Sequence, residues 1–114
     1  MSDYYPDSYQ FISISSDKDD DKIIKLFAVW YGGYLTSDAW RLNSGVTKIE
    51  QSSDKSYIIS GYSGSQYVVN KDSLKLSSYG EGVLRGIIEK AAAQGINVHR
   101  ISLEDAISEV DNET

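Results

Sequence analysis

The segment that most constrains the fold is residues 22–31, KIIKLFAVWY. It is almost continuously apolar and rich in β-branched and aromatic side chains, which reads as a central strand of a sheet. Gly32-Gly33 ends it, since glycine takes positive φ without steric cost. Around this strand the pattern places others. Residues 9–15 (YQFISIS) alternate, and the polar run 16–22 (SDKDDDK) is a solvated turn leading into the central strand. Residues 39–43 and 46–51 flank Ser44-Gly45 and read as one strand bent or bulged at the glycine. Residues 56–62 and 66–70 surround Ser63-Gly64-Ser65, which suits a tight hairpin or a single bulged strand. Residues 96–101 (INVHRI) read as a last strand.

One segment has the helical period. Val83, Leu84, Ile87, Ile88, Ala91 and Ala92 recur at three- and four-residue intervals and form one apolar stripe suited to a sheet face. Ser78 and Glu81 have the capping-box spacing, Glu81 and Arg85 can pair at i,i+4, and Gly95 follows the last turn. Ser102 with Asp105 marks a second cap, opening a short acidic helix over 103–110. The expected architecture is α+β: an antiparallel sheet of about five strands, one main helix packed on one face, and a short C-terminal helix. Residues 1–8 are expected to be a flexible arm, 9–110 a single domain and 111–114 a tail.

Composition narrows the function classes. The 114 residues suit one domain with one core. There is no cysteine, which excludes thiolate catalysis and Cys-ligated zinc. No basic, apolar leader and no run of about 20 apolar residues is present, so a cytoplasmic protein with no membrane contact is expected. The net charge of −6 is uneven. Acids crowd residues 3–21 and 104–113, whereas the middle of the chain is mildly basic. The sign of the total disfavours direct nucleic-acid binding.

The motifs for catalysis and metal binding fail individually. His99 is the only histidine, and it reads as an ordinary strand residue. Gly61-Tyr62-Ser63-Gly64-Ser65 lacks the final glycine of a nucleophile elbow and is followed by a strand. Asp17, Asp19 and Asp21 have calcium-loop spacing, but Lys22 stands where that loop needs glycine and Ala28 where it needs glutamate. Gly80-Glu81-Gly82 with Gly86 does not match a dinucleotide fingerprint. No catalytic residue, cofactor or metal is expected.

What remains is surface recognition. Nine tyrosines and two tryptophans are present, and these side chains anchor interfaces when held on rigid strands. Tyr34, Trp40 and Tyr62 stand next to glycines or turns and are the candidates for exposure. With them go the carboxylates of two acidic segments: Asp19, Asp20 and Asp21 in the turn, and Glu104, Asp105, Glu109 and Asp111 in the last helix. These ten residues form the expected partner-binding set.

The stretch Trp40-Arg41-Leu42-Asn43-Ser44-Gly45, followed by Gly61-Tyr62-Ser63-Gly64-Ser65-Gln66-Tyr67, resembles a pattern in small proteins of bacteriophages and other mobile elements. It covers residues 40–67 and transfers no chemistry to particular residues. In size, acidity and lack of cysteine the chain is also similar to phage-encoded inhibitors of host defence, anti-CRISPR proteins among them. The resemblance implies a non-enzymatic inhibitor whose acidic and aromatic surface meets a host protein or ribonucleoprotein complex with a basic surface. An immunity or antitoxin protein, a small phage enzyme or nucleotide-signal binder, and a virion accessory protein are the alternatives. The sequence leaves the oligomeric state open.

Overall fold

The computed structural model of the protein describes residues 3–32, 38–73 and 75–112, leaving aside the side chains of Asp19, Asp20 and Asn112. Among these residues the elements run β1 (Asp3–Tyr4), β2 (Ser8–Ser16), β3 (Asp19–Trp30), β4 (Ala39–Leu42), β5 (Val46–Gln51), β6 (Ser56–Gly61), β7 (Gln66–Asn70), α1 (Ser78–Ala92), β8 (Ile96–Ile101) and α2 (Leu103–Asn112). The chain is α+β, with eight strands in two four-stranded sheets rather than about five in one. An antiparallel sheet has the order β4-β3-β2-β8, and a mixed sheet has the order β1-β7-β6-β5, with β1 parallel to β7.

The apolar run of residues 22–31 falls mainly in β3, between β2 and β4. Its apolar continuity follows from burial on both faces. Ile24, Leu26 and Ala28 enter a core shared with the mixed sheet (Val46, Ile59, Tyr67, Val69) and α2 (Leu103, Ala106, Val110). Phe27 and Val29 face the other way, into a second core closed by Leu84 of α1. The layers are therefore mixed sheet, antiparallel sheet and α1. Tyr9 lies fully buried between the sheets, and burial, more than the nearby Tyr57, Asp72 and Glu104, pushes its phenol above the usual tyrosine range.

Two sheets form where one was expected because the chain turns a corner at Ser44-Gly45. Asn43 makes the last rung of β4 against β3. Its N–H donates to the Leu26 carbonyl at 3.0 Å, and its side-chain Oδ1 accepts from the Leu26 N–H at 2.8 Å. A side-chain oxygen thus takes the place of a strand carbonyl, and the backbone is free to leave the sheet. Gly45, at φ +136°, redirects it into β5. The far side of the corner is the β6–β7 hairpin. Tyr62 N–H donates to the Gly45 carbonyl at 3.1 Å, and Ser63 N–H donates to Ser44 Oγ at 3.0 Å.

The expected flexible arm also carries structure. Tyr4 of β1 stacks on Tyr67 with ring centroids 5.0 Å apart, and the Arg41 guanidinium lies 4.7 Å above the Tyr4 ring. Asp7 then accepts from Tyr31 N–H at 2.7 Å. Aromatic burial and these polar contacts fasten residues 3–8 across both sheets. The solvated turn also contracts: only Asp17 and Lys18 turn, and residues 19–21 already belong to β3.

Helix α1 packs its apolar stripe on the antiparallel sheet, except for Ala92, which is exposed. Its cap is Ser77 rather than Ser78, with Ser77 Oγ accepting from Gly80 N–H at 3.2 Å. Glu81 pairs with Arg100 of β8 in a two-pronged contact of 2.6 and 2.8 Å. The edge strand beneath the helix presents that guanidinium to it, which displaces the expected Arg85 pairing. Arg100 holds the Glu81 carboxyl below the usual carboxylate range.

Gly45→Ala is expected to cost about 2–3 kcal/mol in urea unfolding, because positive φ strains alanine and its Cβ would lie 2.6 Å from the Tyr62 ring. Gly64→Ala, also at positive φ but in open space, should cost only about 1 kcal/mol. For the Glu81–Arg100 pair the sign follows from the lowered carboxyl. Its contribution is present above the unfolded-state value and is lost as pH falls through the folded one. Arg100→Gln should therefore cost about 1 kcal/mol or less at neutral pH, the side chains being 40% and 35% exposed. That cost should shrink in the same measurement as the pH is taken below the usual carboxylate range, where Glu81 becomes protonated in both states.

Candidate functional site

The two faces of β2 differ along its length. Tyr9, Phe11, Ser13 and Ser15 share one face by the two-residue period. The aromatic pair is buried in the core between the sheets, while the serines lie further along, where α2 is the facing layer. β8 continues the same face with Asn97, His99 and Ile101, and the register sets His99 opposite Ser13 and Asn97 opposite Ser15. β3 adds Lys22.

Helix α2 closes this side. Ser102 Oγ accepts from Asp105 N–H at 3.1 Å, capping it as expected. Leu103, Ala106 and Val110 go into the core. Asp105, Ser108 and Glu109, spaced i, i+3 and i+4, share one side of the helix and line the recess between it and the serines. The recess has a volume of about 230 Å³.

The opposite face of the same strand ends is apolar. Ile14, Ile23 and Ile96 line a shallow groove of about 400 Å³ together with Asp21, Ser16 and, at the strand end, Ser15. Ile14 stands opposite Ile23 in the β2–β3 register. Ile23 is 46% exposed and Tyr62 69%. Both reach the corner: the Tyr62 ring lies 2.6 Å, and Ile23 Cγ2 3.5 Å, from the space a Cβ at Gly45 would take. The hairpin tip is anchored, with Asp17 N–H donating to the Gly95 carbonyl at 3.1 Å and Asn97 Nδ2 donating to Asp17 Oδ1 at 2.9 Å.

The ten expected residues therefore separate. Asp105 and Glu109 line the polar recess, with Lys22 of the hairpin on its other wall, so acidic segments far apart in sequence share one end of the molecule. Asp21 borders the apolar groove, and Tyr62 stands beside Ile23. Glu104 lies on the Tyr9 side of α2, where it raises that phenol, and Asp111 is exposed near the end of α2. Trp40 is 43% exposed and stacks on Phe27 at 5.7 Å. It sits on β4 opposite Val29 of β3, eight residues along that strand from Asp21, or roughly 26 Å, so it does not join the hairpin acids. Asp19 and Asp20 are placed by backbone alone, in β3, and Tyr34 lies outside the described residues.

Ser13, Ser15, Lys22, His99, Ser108 and Ile23 were not singled out as site residues from the sequence. The available signal was the change from aromatic to hydroxyl along one face of YQFISIS. No hydrogen bond among the described residues joins His99 to Ser13, so their juxtaposition is register and not a nucleophile–base contact. Among the described residues no group of three His, Cys, Asp or Glu is placed to hold a metal ion, and no helix is long and apolar enough to cross a membrane. No family model, no curated protein and no solved structure matches the chain.

Because Ile23 and Tyr62 are exposed, Ile23→Ser and Tyr62→Ala should each cost about 1 kcal/mol or less in urea unfolding. A loss of about 3 kcal/mol, typical of a truncated core residue, would make them core.

Proposed function

We propose that this protein is a non-enzymatic binding protein that inhibits a partner complex, docking through the hairpin end of its antiparallel sheet. The observation that carries the reading is the groove of Ile14, Ile23 and Ile96 with Asp21 of the β2–β3 hairpin at its border, and the exposed Tyr62 ring at the adjoining corner. Exposed apolar and aromatic side chains on rigid strands, rimmed by charge, are the anatomy of a protein interface. The carboxylates select a partner with a basic surface and hasten encounter, with an effect that salt weakens. The net charge of −6 favours a protein or ribonucleoprotein surface over bare nucleic acid. The resemblance of residues 40–67 to phage and mobile-element proteins favours a host defence or nucleic-acid-handling complex as the target, in the bacterial cytoplasm.

The test is capture from bacterial lysate on the immobilised protein at low and high salt, followed by kinetics with the purified partner. One nucleic-acid-handling complex is expected. Tyr62→Ala should weaken its binding about tenfold or more, well beyond any stability loss. Neutralising Asp19, Asp20 and Asp21 together should slow association at low salt and leave the dissociation rate nearly unchanged. Absence of any retained complex, or capture indifferent to both sets of changes, would reject the reading.

A further inference from the structure

The recess beneath α2 differs in chemistry from the apolar groove on the other face of the strands. Its charged lining comprises the Asp105 and Glu109 carboxylates and the Lys22 ammonium, two negative groups to one positive, with the His99 imidazole beside them. Hydroxyls of Ser13 and Ser15 extend the acceptor set across the floor, and Ile101 supplies an apolar wall. At about 230 Å³ it is smaller than the cavities that take nucleotides or drug-sized ligands, and it suits a side-chain-sized group.

We infer that this recess is a guanidinium site that receives an arginine side chain of the partner. A guanidinium is planar, has five donors and no acceptor, and stays charged at any physiological pH. The recess complements each property. The two carboxylates stand one helical turn apart, about 5–6 Å between their Cβ atoms, a spacing that suits the wide donor fork of a guanidinium better than a compact ammonium. The serine hydroxyls accept from the remaining N–H groups, and Ile101 covers the aliphatic stem. Arginine seated in a pocket is a common energetic centre of an interface. The inference deepens the binding function proposed above by naming the group the partner supplies.

The experiment is an amide-shift NMR titration of the intact protein with N-acetyl-arginine amide, against N-acetyl-lysine amide at equal concentration. Saturable shifts at Ser13, Ser15, Asp105 and Ser108 with the arginine compound, and weaker ones with the lysine compound, are expected. Asp105→Asn and Glu109→Gln should each weaken arginine binding about tenfold, with resonances of the mixed sheet unmoved to show intact folding. Lys22→Ala, on a different element, should tighten it about threefold by removing the competing cation. No saturable shift at the highest soluble concentration, equal response to both compounds, or indifference to all three substitutions would overturn the inference. Partner capture separates the two proposals. If the double variant Asp105→Asn/Glu109→Gln still captures the partner normally, the guanidinium site is overturned as a partner contact and the binding function stands. Arginine binding without any captured partner leaves a guanidinium site for a free solute and removes the protein-partner reading.

Discussion

Asn43 does two jobs at once, and the arrangement of the layers follows from them. By bonding both polar groups of Leu26, it completes the edge of one sheet with a side chain where backbone would otherwise have to continue. The main chain is then released at Gly45, whose positive φ sends it into the second sheet. The amide Nδ2 of Asn43 is buried without a partner, a cost that the paired contacts to Leu26 offset. Gly61 leaves the room this requires: a Cβ there would lie 3.2 Å from both Asn43 Nδ2 and the Gly45 carbonyl. The two halves of the residue 40–67 pattern are thus in contact, and most of their polar and glycine positions have a structural reason. Tyr62 is the member whose ring is mostly left in water.

From that corner the sandwich closes. β5, β6 and β7 cover one face of the antiparallel sheet, and α1 covers the other. The central strand can then be apolar without a break from Leu26 to Trp30, because neither face meets solvent over most of that stretch. The N-terminal residues add a fourth strand to the mixed sheet, held by the Tyr4, Tyr67 and Arg41 stack.

The candidate interface exists because this coverage stops short of the hairpin end. Beyond Phe11 the inner face of β2 turns to serine, and α2 roofs a polar recess. On the outer face Ile23 reaches solvent, and so does Tyr62 at the nearby corner. One pair of strand ends therefore offers a polar recess on one side and an apolar strip on the other, with the acids of the hairpin and α2 around them. A partner that wraps this end would meet both chemistries.

Local patterns in the sequence were enough to locate β2, β3, the segments of β6 and β7, α1, β8 and the cap of α2, though not to decide between a hairpin and one bulged strand for residues 56–70. Each depends on a two- or 3.6-residue period, or on a turn residue, and all of these act within a few positions. Also legible were the uneven charge and the exposure of Trp40 and Tyr62. The division into two sheets was not, because a glycine bend within a sheet and a corner between sheets have the same local signature. What distinguishes them is the bond from Asn43 to Leu26, 17 positions away. Likewise, no local rule brings Asp105 and Glu109 over Ser13 and Ser15, or Tyr62 beside Ile23. The sequence by itself determined most of the strands, both helices and where the charges lie along the chain. Only the tertiary structure decided which of them share a surface, since that depends on hydrogen bonds and packing between segments distant in the chain.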